Sequence, residues 1–371
     1  MLIGIDASRS VTPQRTGTEA YAYFLIQSLI TQTKGGTHRL RLYFNQSPPI
    51  GLFADLPHVE NCIIPFVRMW THVRLARELR QRPPDVFFTP AHVIPFIYRG
   101  ASVATVHDLG YHYFPAAHTK SQAAYLKLST RANGRLGKEI IADSTATKAD
   151  LIRFYGSEAG KINVIYPGLD PGLKHVNDRE LIADTCGKYG IDSPYLLYIG
   201  TLQPRKNLER LVRAFAQSGL PHQLVLGGKS GWQSGSLLSE IASLDAPVRE
   251  RVHLPGYVDE SDKAILLSGA EALVYPSLYE GFGFPVLEAQ VCGTPVLAAN
   301  SSSLPEISAG SALLVNPLDV DEIAEGLRQI VKDSELRQEM VRSGYKNVRR
   351  FDWDKTAAAV LRVLEKAATD S

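Results

Sequence analysis

Short apolar runs bounded by turn residues alternate along this chain with amphipathic stretches of helical spacing. In the first half, residues 2–6, 40–44, 86–89, 102–107 and 139–143 read as buried parallel strands, since they lack the every-second-residue polarity of a half-exposed strand. Residues 19–31 and 120–136 carry helical spacing between them. The pattern lapses across residues 166–194, where Pro and Gly cluster, and restarts at 195–200. A helix is predicted over 207–217, with strands at 223–226, 252–254, 272–275, 295–298 and 312–315. Strands alternating with helices imply parallel sheets covered on both faces. Two such series in one chain predict two Rossmann-like α/β domains. There is no short-period repeat or low-complexity tract.

The bulk numbers agree with that division and remove several functions. A chain of 371 residues exceeds a comfortable single core. Hydrophobic content of 44% with 21% charged residues is ordinary for a globular protein, and a formal net charge of +2 gives no electrostatic footprint for nucleic acid. Cys62, Cys186 and Cys292 are scattered, without a C-x-x-C pair, and argue for a reducing compartment and against disulfides or structural zinc. The opening residues run straight into a strand pattern and do not read as a signal peptide. No apolar run approaches the roughly 18 residues that span a bilayer. The expectation is a soluble, cytoplasmic protein.

The segment from Glu280 through Gly281, Phe282, Gly283 and Phe284 to Glu288 carries the most chemistry. Its first carboxylate lies in a glycine-punctuated loop and its second inside a short helix predicted over 284–291. Gly281 and Gly283 remove side chains where a ligand would approach the backbone. The helix start supplies N–H groups without intrahelical partners and the positive end of a dipole, which suits phosphate oxygens. A carboxylate accepts hydrogen bonds and donates none, so it suits hydroxyl-rich groups, a sugar at one end and a ribose at the other. The bland alternative is a loop charge at Glu280 and a solvated helix residue at Glu288. After the strand at 195–200, Arg205 and Lys206 stand where a helix begins, and ligands of parallel α/β sheets bind beyond the carboxyl ends of strands. A guanidinium fork and an ammonium together can neutralise a diphosphate.

This Glu280-to-Glu288 segment resembles the E-x7-E signature of retaining glycosyltransferases of the family 4 (group 1) type. The resemblance extends over nearly the whole chain. It implies the GT-B fold, two Rossmann-like domains with parallel sheets facing across a cleft. By that resemblance Glu280 binds donor-sugar hydroxyls and Glu288 the ribose hydroxyls. Gly200 to Asn207 is similar to the family pattern G-x-L-x-x-x-K-N/G, which places Arg205 and Lys206 at the phosphates; some members have Arg where this chain has Thr201. Gly256, Tyr257 and Val258 resemble the segment whose backbone contacts the base, although Tyr257 also suits packing. His107, at a strand's carboxyl end beside Asp108, resembles with Leu109 and Phe114-Pro115 the bacterial polysaccharide mannosyltransferases of this family, in which that histidine touches the donor sugar. A structural histidine is the alternative, and His112 is read as a loop residue. The resemblance also implies domain boundaries at 1–172, a linker at 173–192, 193–352, and a helix over 353–371 that crosses back onto the first domain; a helix that caps the second domain is the alternative.

Other segments are weighed the same way. Arg15 to Glu19 offers Gly17 for close approach of a phosphate or acceptor, but is not G-x-G-x-x-G, which weakens a dehydrogenase reading. Gly227-Gly228-Lys229 lacks P-loop spacing. Asp319-Val-Asp321 looks like a metal-binding D-x-D, yet stands at a helix start where capping explains it. In the basic stretch 68–82, Met69, Val73, Ala76 and Leu79 share one helical face, read as core-facing, with weak peripheral membrane association through Arg74, Arg77 and Arg80 as the alternative.

The reading is a retaining hexosyltransferase that moves a sugar, mannose from GDP-mannose, from a nucleoside diphosphate to a hydroxyl of a glycan or lipid-linked glycan. Domain closure would assemble the site. His107, Arg205, Lys206 and Glu280 are the candidate catalytic residues. No cofactor or metal is expected, because side-chain cations neutralise the diphosphate. No carboxylate nucleophile is evident on the first domain, and the resemblance implies front-face substitution instead. The alternatives are a UDP-sugar-dependent transferase, a nucleotide-sugar 2-epimerase of the same fold, and a non-catalytic binding protein.

Overall fold

The computed structural model describes residues 1–12, 17–53, 56–66, 69–91, 93–232 and 235–369. They form two compact units, Met1–Gly168 with Phe351–Ser371, and Leu169–Arg350.

The first unit is built on a seven-stranded parallel sheet: β1 (Leu2–Asp6), β2 (Arg39–Phe44), β3 (Val59–Ile63), β4 (Val86–Thr89), β5 (Ser102–Val106), β6 (Glu139–Ala142) and β7 (Ile162–Val164). Their order is β3-β2-β1-β4-β5-β6-β7. In the register Ile5 stands between Leu42 and Phe88, and all three are fully buried in one core on the same face of the sheet. β3 and β7 are edge strands that the hydrophobic pattern did not predict. β3 is half exposed, and β7 is three residues long.

Helix Trp353–Thr369 completes this unit. Ala357, Val360, Leu364 and Ala367 recur at helical spacing and are fully buried in the core that contains Ile3, Ile5 and Leu25. Burying an aliphatic side chain of that size is worth roughly 1.5–3 kcal/mol. Trp353 stacks on Phe24 at 5.7 Å, and Thr356 Oγ1 donates to the Tyr166 carbonyl at 2.7 Å.

The second unit holds a six-stranded parallel sheet: β8 (Tyr195–Ile199), β9 (Gln223–Gly227), β10 (Val252–Gly256), β11 (Ala272–Tyr275), β12 (Val296–Ala299) and β13 (Leu313–Val315). Their order is β10-β9-β8-β11-β12-β13. All six coincide with expected strands to within two residues. The segment expected as a linker, 173–192, is not structureless. It carries helix Arg179–Lys188, capped by Asp178 and packed on helix Glu260–Gly269. Its polar sequence hid it.

The chain order reverses direction between β8 and β11, and between β1 and β4. Loops that leave such neighbouring strands in opposite directions open a crevice at the sheet's carboxyl edge. In the second unit those loops are 200–207 and 276–283, which contain Arg205, Lys206 and Glu280.

Two expectations about packing fail. Ala76 and Leu79 are buried, but Met69 and Val73 are exposed. Thr71–Leu75 is a π-helical turn, which takes more residues per turn than an α-helix and shifts the phase of the face, and Met69 sits at φ 54° before it. His112 is not a loop residue. It lies in helix Gly110–Tyr113, stacks on Phe154 at 4.2 Å and bonds the Tyr155 hydroxyl at 2.9 Å. Arg15, Thr16 and Arg68 lie outside the described residues.

Candidate active site

The crevice of the second unit is assembled around one carboxylate. Glu280 Oε1 accepts from Lys206 Nζ at 2.5 Å, and Glu280 Oε2 from Arg205 Nη1 at 2.8 Å. The sequence assigns the carboxylate to the donor sugar and the two cations to the diphosphate; the structure pairs them directly. Lys206 and Glu280 are 6% and 7% exposed, so the pair is withdrawn from water. Burial alone would raise the Glu280 pKa, but Lys206 and then Arg205 bring it down to about 2. Two cations and one carboxylate leave one net positive charge for an anion.

Local structure fixes each partner. Lys206 also donates to the Tyr275 hydroxyl at 2.5 Å, at the end of β11, and Tyr275 stacks on Tyr198 at 5.8 Å. Arg205 donates to the Tyr279 carbonyl at 3.0 Å and receives the Leu278 N–H on its own carbonyl at 2.8 Å. Asn207, at φ 64°, turns the chain into helix Leu208–Ser218 and donates to the carbonyls of Pro276 and Pro317. The two loops are thus tied by backbone as well as by charge.

The loop 280–283 hangs on a pair of serines. Glu280 N–H donates to Ser302 Oγ at 2.9 Å, and Ser303 Oγ donates to the carbonyls of Glu280 and Phe282. Gly283 sits at φ 113°, where an added Cβ would stand 2.7 Å from Leu304 Cδ2. Gly283 caps helix Phe284–Val291, the span predicted from sequence, with Pro285 in its first turn. Phe282 is buried against Phe284 at 4.9 Å, while Gly281 follows Glu280 in the same loop.

Glu288 projects from that helix. Its Oε1 accepts from Lys263 Nζ at 2.9 Å, and Lys263 also pairs with Glu260 at 2.8 Å. Burial would lower the Lys263 pKa, but Glu288 and Glu260 hold it above the ordinary lysine value. Beyond β10, Gly256 accepts the Gly228 N–H at 2.7 Å, which brings the two glycine loops together; a Cβ on Gly228 would stand 1.9 Å from the Gly200 carbonyl. The Val258 side chain belongs to the core, whereas Tyr257 is exposed with Lys229 over its ring at 4.4 Å.

In the first unit, Gly17 opens helix Gly17–Thr33, and His107 follows β5. His107 Nδ1 bonds Asp143 Oδ2 at 2.6 Å and Nε2 bonds the Pro90 carbonyl at 2.8 Å. Both partners are acceptors, and both are satisfied only when each ring nitrogen carries a proton. Burial opposes that charge, but Asp143, the Pro90 carbonyl and Asp108 hold the imidazole pKa above its ordinary value. The ring's edge packs on Tyr21 at 4.7 Å, and Thr147 Oγ1 donates to the His107 carbonyl at 3.2 Å. His107 is therefore held between two acceptors that favour its protonated form.

Asp319 has the capping role expected of it. Asp319 Oδ1 caps helix Val320–Lys332 through the N–H groups of Asp321 and Glu322. Among the described residues, no group of three or more His, Cys, Asp and Glu side chains could hold a metal ion. No described helix is long and apolar enough to cross a membrane. Sequence reasoning missed Tyr275, Lys263, Ser302 and Ser303. The signal for the serines was a Ser301-Ser302-Ser303 run after a strand; the other two had none.

Comparison with known proteins agrees with this architecture. Residues 17–173 match the model of Glycosyltransferase Family 4, and residues 187–347 that of Glycosyl transferases group 1. The chain is 30% identical over 287 residues to O-antigen chain mannosyltransferase B of Escherichia coli, covering 76% of this chain and 74% of that one. It is 31% identical over 280 residues to D-inositol 3-phosphate glycosyltransferase of Xylanimonas cellulosilytica, covering 68% and 66%. Sucrose-phosphate synthase from Thermosynechococcus elongatus superposes with a TM-score of 0.75 at 20% identity over the whole of both chains. Anabaena HepE, in complex with UDP and glucose, gives 0.73 at 18% over 98% and 99%. At these identities the structures speak for the fold.

Proposed function

The chain belongs to the group 1, family 4 glycosyltransferases with the GT-B fold, and we propose that it is a retaining, metal-independent hexosyltransferase acting on a nucleoside diphosphate sugar. The observation that carries this reading is the buried Arg205–Glu280–Lys206 cluster at the strand-order reversal of the second unit.

The chemistry follows from charge. The bond between the anomeric carbon and the β-phosphate oxygen breaks, and the diphosphate gains negative charge as it leaves. Arg205, Lys206 and the positive end of helix Phe284–Val291 stabilise that charge from fixed positions, which costs no reorganisation during the reaction. The Glu280 carboxylate takes donor-sugar hydroxyls, and its cations keep it ionised for that task. Glu288 takes the ribose hydroxyls, and the backbone at Gly256–Val258 borders the base. The acceptor hydroxyl forms the new bond on the face from which the phosphate departs, and its proton passes to a phosphate oxygen. No protein nucleophile is used, and the anomeric configuration is retained. Side-chain cations take the place of a metal, and no cofactor enters.

The acceptor is a glycan or lipid-linked glycan taken by the first unit in the cytoplasm, with Gly17 beside it and with weak peripheral attachment to the inner membrane face. Mannose from GDP-mannose is the donor of choice. Its support is the relative named a mannosyltransferase and the likeness of residues 107–115 to polysaccharide mannosyltransferases. A UDP-sugar is the second reading, favoured by the UDP in the Anabaena neighbour. Incubation with labelled GDP-mannose or UDP-glucose, followed by product analysis, separates glycan transfer from epimerisation and from mere binding. Titration calorimetry with GDP and UDP fixes the base: tighter GDP binding is expected, and preference for UDP would reject GDP-mannose while leaving the enzyme class intact.

A further inference from the structure

The relation between Lys263 and Glu288 carries a further inference, which rests on the reading of Glu288 as the ribose ligand. Lys263 lies in the first turn of helix Glu260–Gly269, four positions after the Asp259 that precedes it, and so directly follows the loop of Gly256 to Val258. Glu288 lies on the neighbouring helix Phe284–Val291. Their side chains are 12% and 15% exposed, and Nζ stands 2.9 Å from Oε1. Two features of this contact bear on a ligand.

The hold is one-sided. Lys263 takes Oε1 of Glu288, and the other oxygen, Oε2, is not among the buried atoms that lack a partner and is open to a further donor. A ribose presents two neighbouring hydroxyl donors, and a carboxylate fixed by one oxygen meets such a pair in a single orientation. The ammonium is also shared. Glu260 at 2.8 Å holds it as well, so it is tethered at two points and does not swing with the lysine stem.

We infer that Lys263 is a positioning residue that fixes Glu288 as a reader of the ribose 2′-hydroxyl, and that it thereby sets the preference of this site for ribonucleotides over 2′-deoxyribonucleotides. A lysine with a merely structural role would change affinity for both nucleotides alike. A positioning lysine changes their ratio, because the lost contact is one that the deoxy ligand never made.

The test measures the dissociation constants of GDP and 2′-deoxy-GDP, and of UDP and 2′-deoxy-UDP, on the full chain by titration calorimetry. It compares the wild type with Lys263→Met, Lys263→Arg and Glu288→Gln, each checked for folding by thermal melting. The wild type is expected to favour the ribonucleotide by roughly tenfold or more, the scale of one hydrogen bond to a charged group. Glu288→Gln and Lys263→Met should each bring the ratio close to one, and Lys263→Arg should restore most of it. The double variant Lys263→Met/Glu288→Gln should lose no more than either single one, since both act through one contact. If Glu288→Gln abolishes the preference and Lys263→Met keeps it, the role of Lys263 is overturned and that of Glu288 stands. If Glu288→Gln keeps the preference, the ribose reading itself falls and takes this inference with it. Should Lys263→Met not fold, Lys263→Gln keeps a polar tip but is uncharged and one bond too short to hold Glu288 Oε1, and an undiminished ratio there overturns the inference equally.

Discussion

Lys206 Nζ and Glu280 Oε1 are 2.5 Å apart, with side chains 7% and 9% exposed. Neither charge has bulk water to fall back on if the other is removed, so the pair links stability to activity.

Glu280→Gln leaves the Lys206 ammonium buried beside a neutral amide. Breaking a buried pair from one side costs about 3–5 kcal/mol. Urea denaturation should show a loss of that size, and a loss below about 1 kcal/mol would mean that the cluster relaxes freely.

The same carboxylate sets an acid limit. Its folded pKa is depressed from the ordinary 4.5 to about 2, so the stability it contributes is complete above pH 4.5 and is lost as pH falls toward 2. A shift of that size corresponds to something on the order of 3 kcal/mol. Stability followed from pH 6 downward should fall in this window for the wild type and stay flatter for Glu280→Gln. Parallel curves would assign the acid sensitivity to other groups.

Lys206→Ala should lower kcat by roughly 10²–10³, since leaving-group charge is greatest in the transition state. Arg205→Ala should be milder, and the double variant non-additive, because both cations share Glu280. An unchanged kcat with a raised KM would make Lys206 a ground-state anchor.

Turnover should persist in excess chelator, because the positive charge of the site is carried by side chains. Loss of activity that Mg²⁺ or Mn²⁺ restores would refute this and send attention to carboxylates outside the cluster.

His107 should carry protons on both ring nitrogens at neutral pH, visible by nitrogen NMR of the imidazole. Its folded pKa is raised, so its pairing with Asp143 contributes fully below the ordinary value of 6.5 and is lost as pH rises through the folded value. Asp143→Asn should cost most stability in mildly acid buffer and progressively less in alkaline buffer. A singly protonated ring at neutral pH in the wild type would refute this.

The elements that sequence pattern revealed most plainly are those whose burial is uniform. β8, β9, β11 and β12 are buried nearly end to end, and the half-buried edge strands β10 and β13 were still legible from short apolar runs. β3 escaped because Glu60, Asn61 and Cys62 leave its edge half wet, and helix Arg179–Lys188 because its residues are mostly polar. Met69 and Val73 misled because a π-turn breaks the period on which the inference rests. In the site, Arg205, Lys206 and Glu280 were each visible from loop chemistry. Their mutual pairing was not, since it requires β8 and β11 to be neighbours although they are separated by two strands in the chain. Tyr275 read as a core aromatic of a strand, which it also is.

Helix Trp353–Thr369 has a consequence for synthesis. It covers part of a core whose other residues come before Gly168, and the whole second unit is translated in between. During translation, the apolar positions that Val360 and Leu364 will cover must wait, open to solvent or to a chaperone. The second unit, contiguous from Leu169 to Arg350, can meanwhile close on itself. The unit whose residues are made first is thus the one finished last.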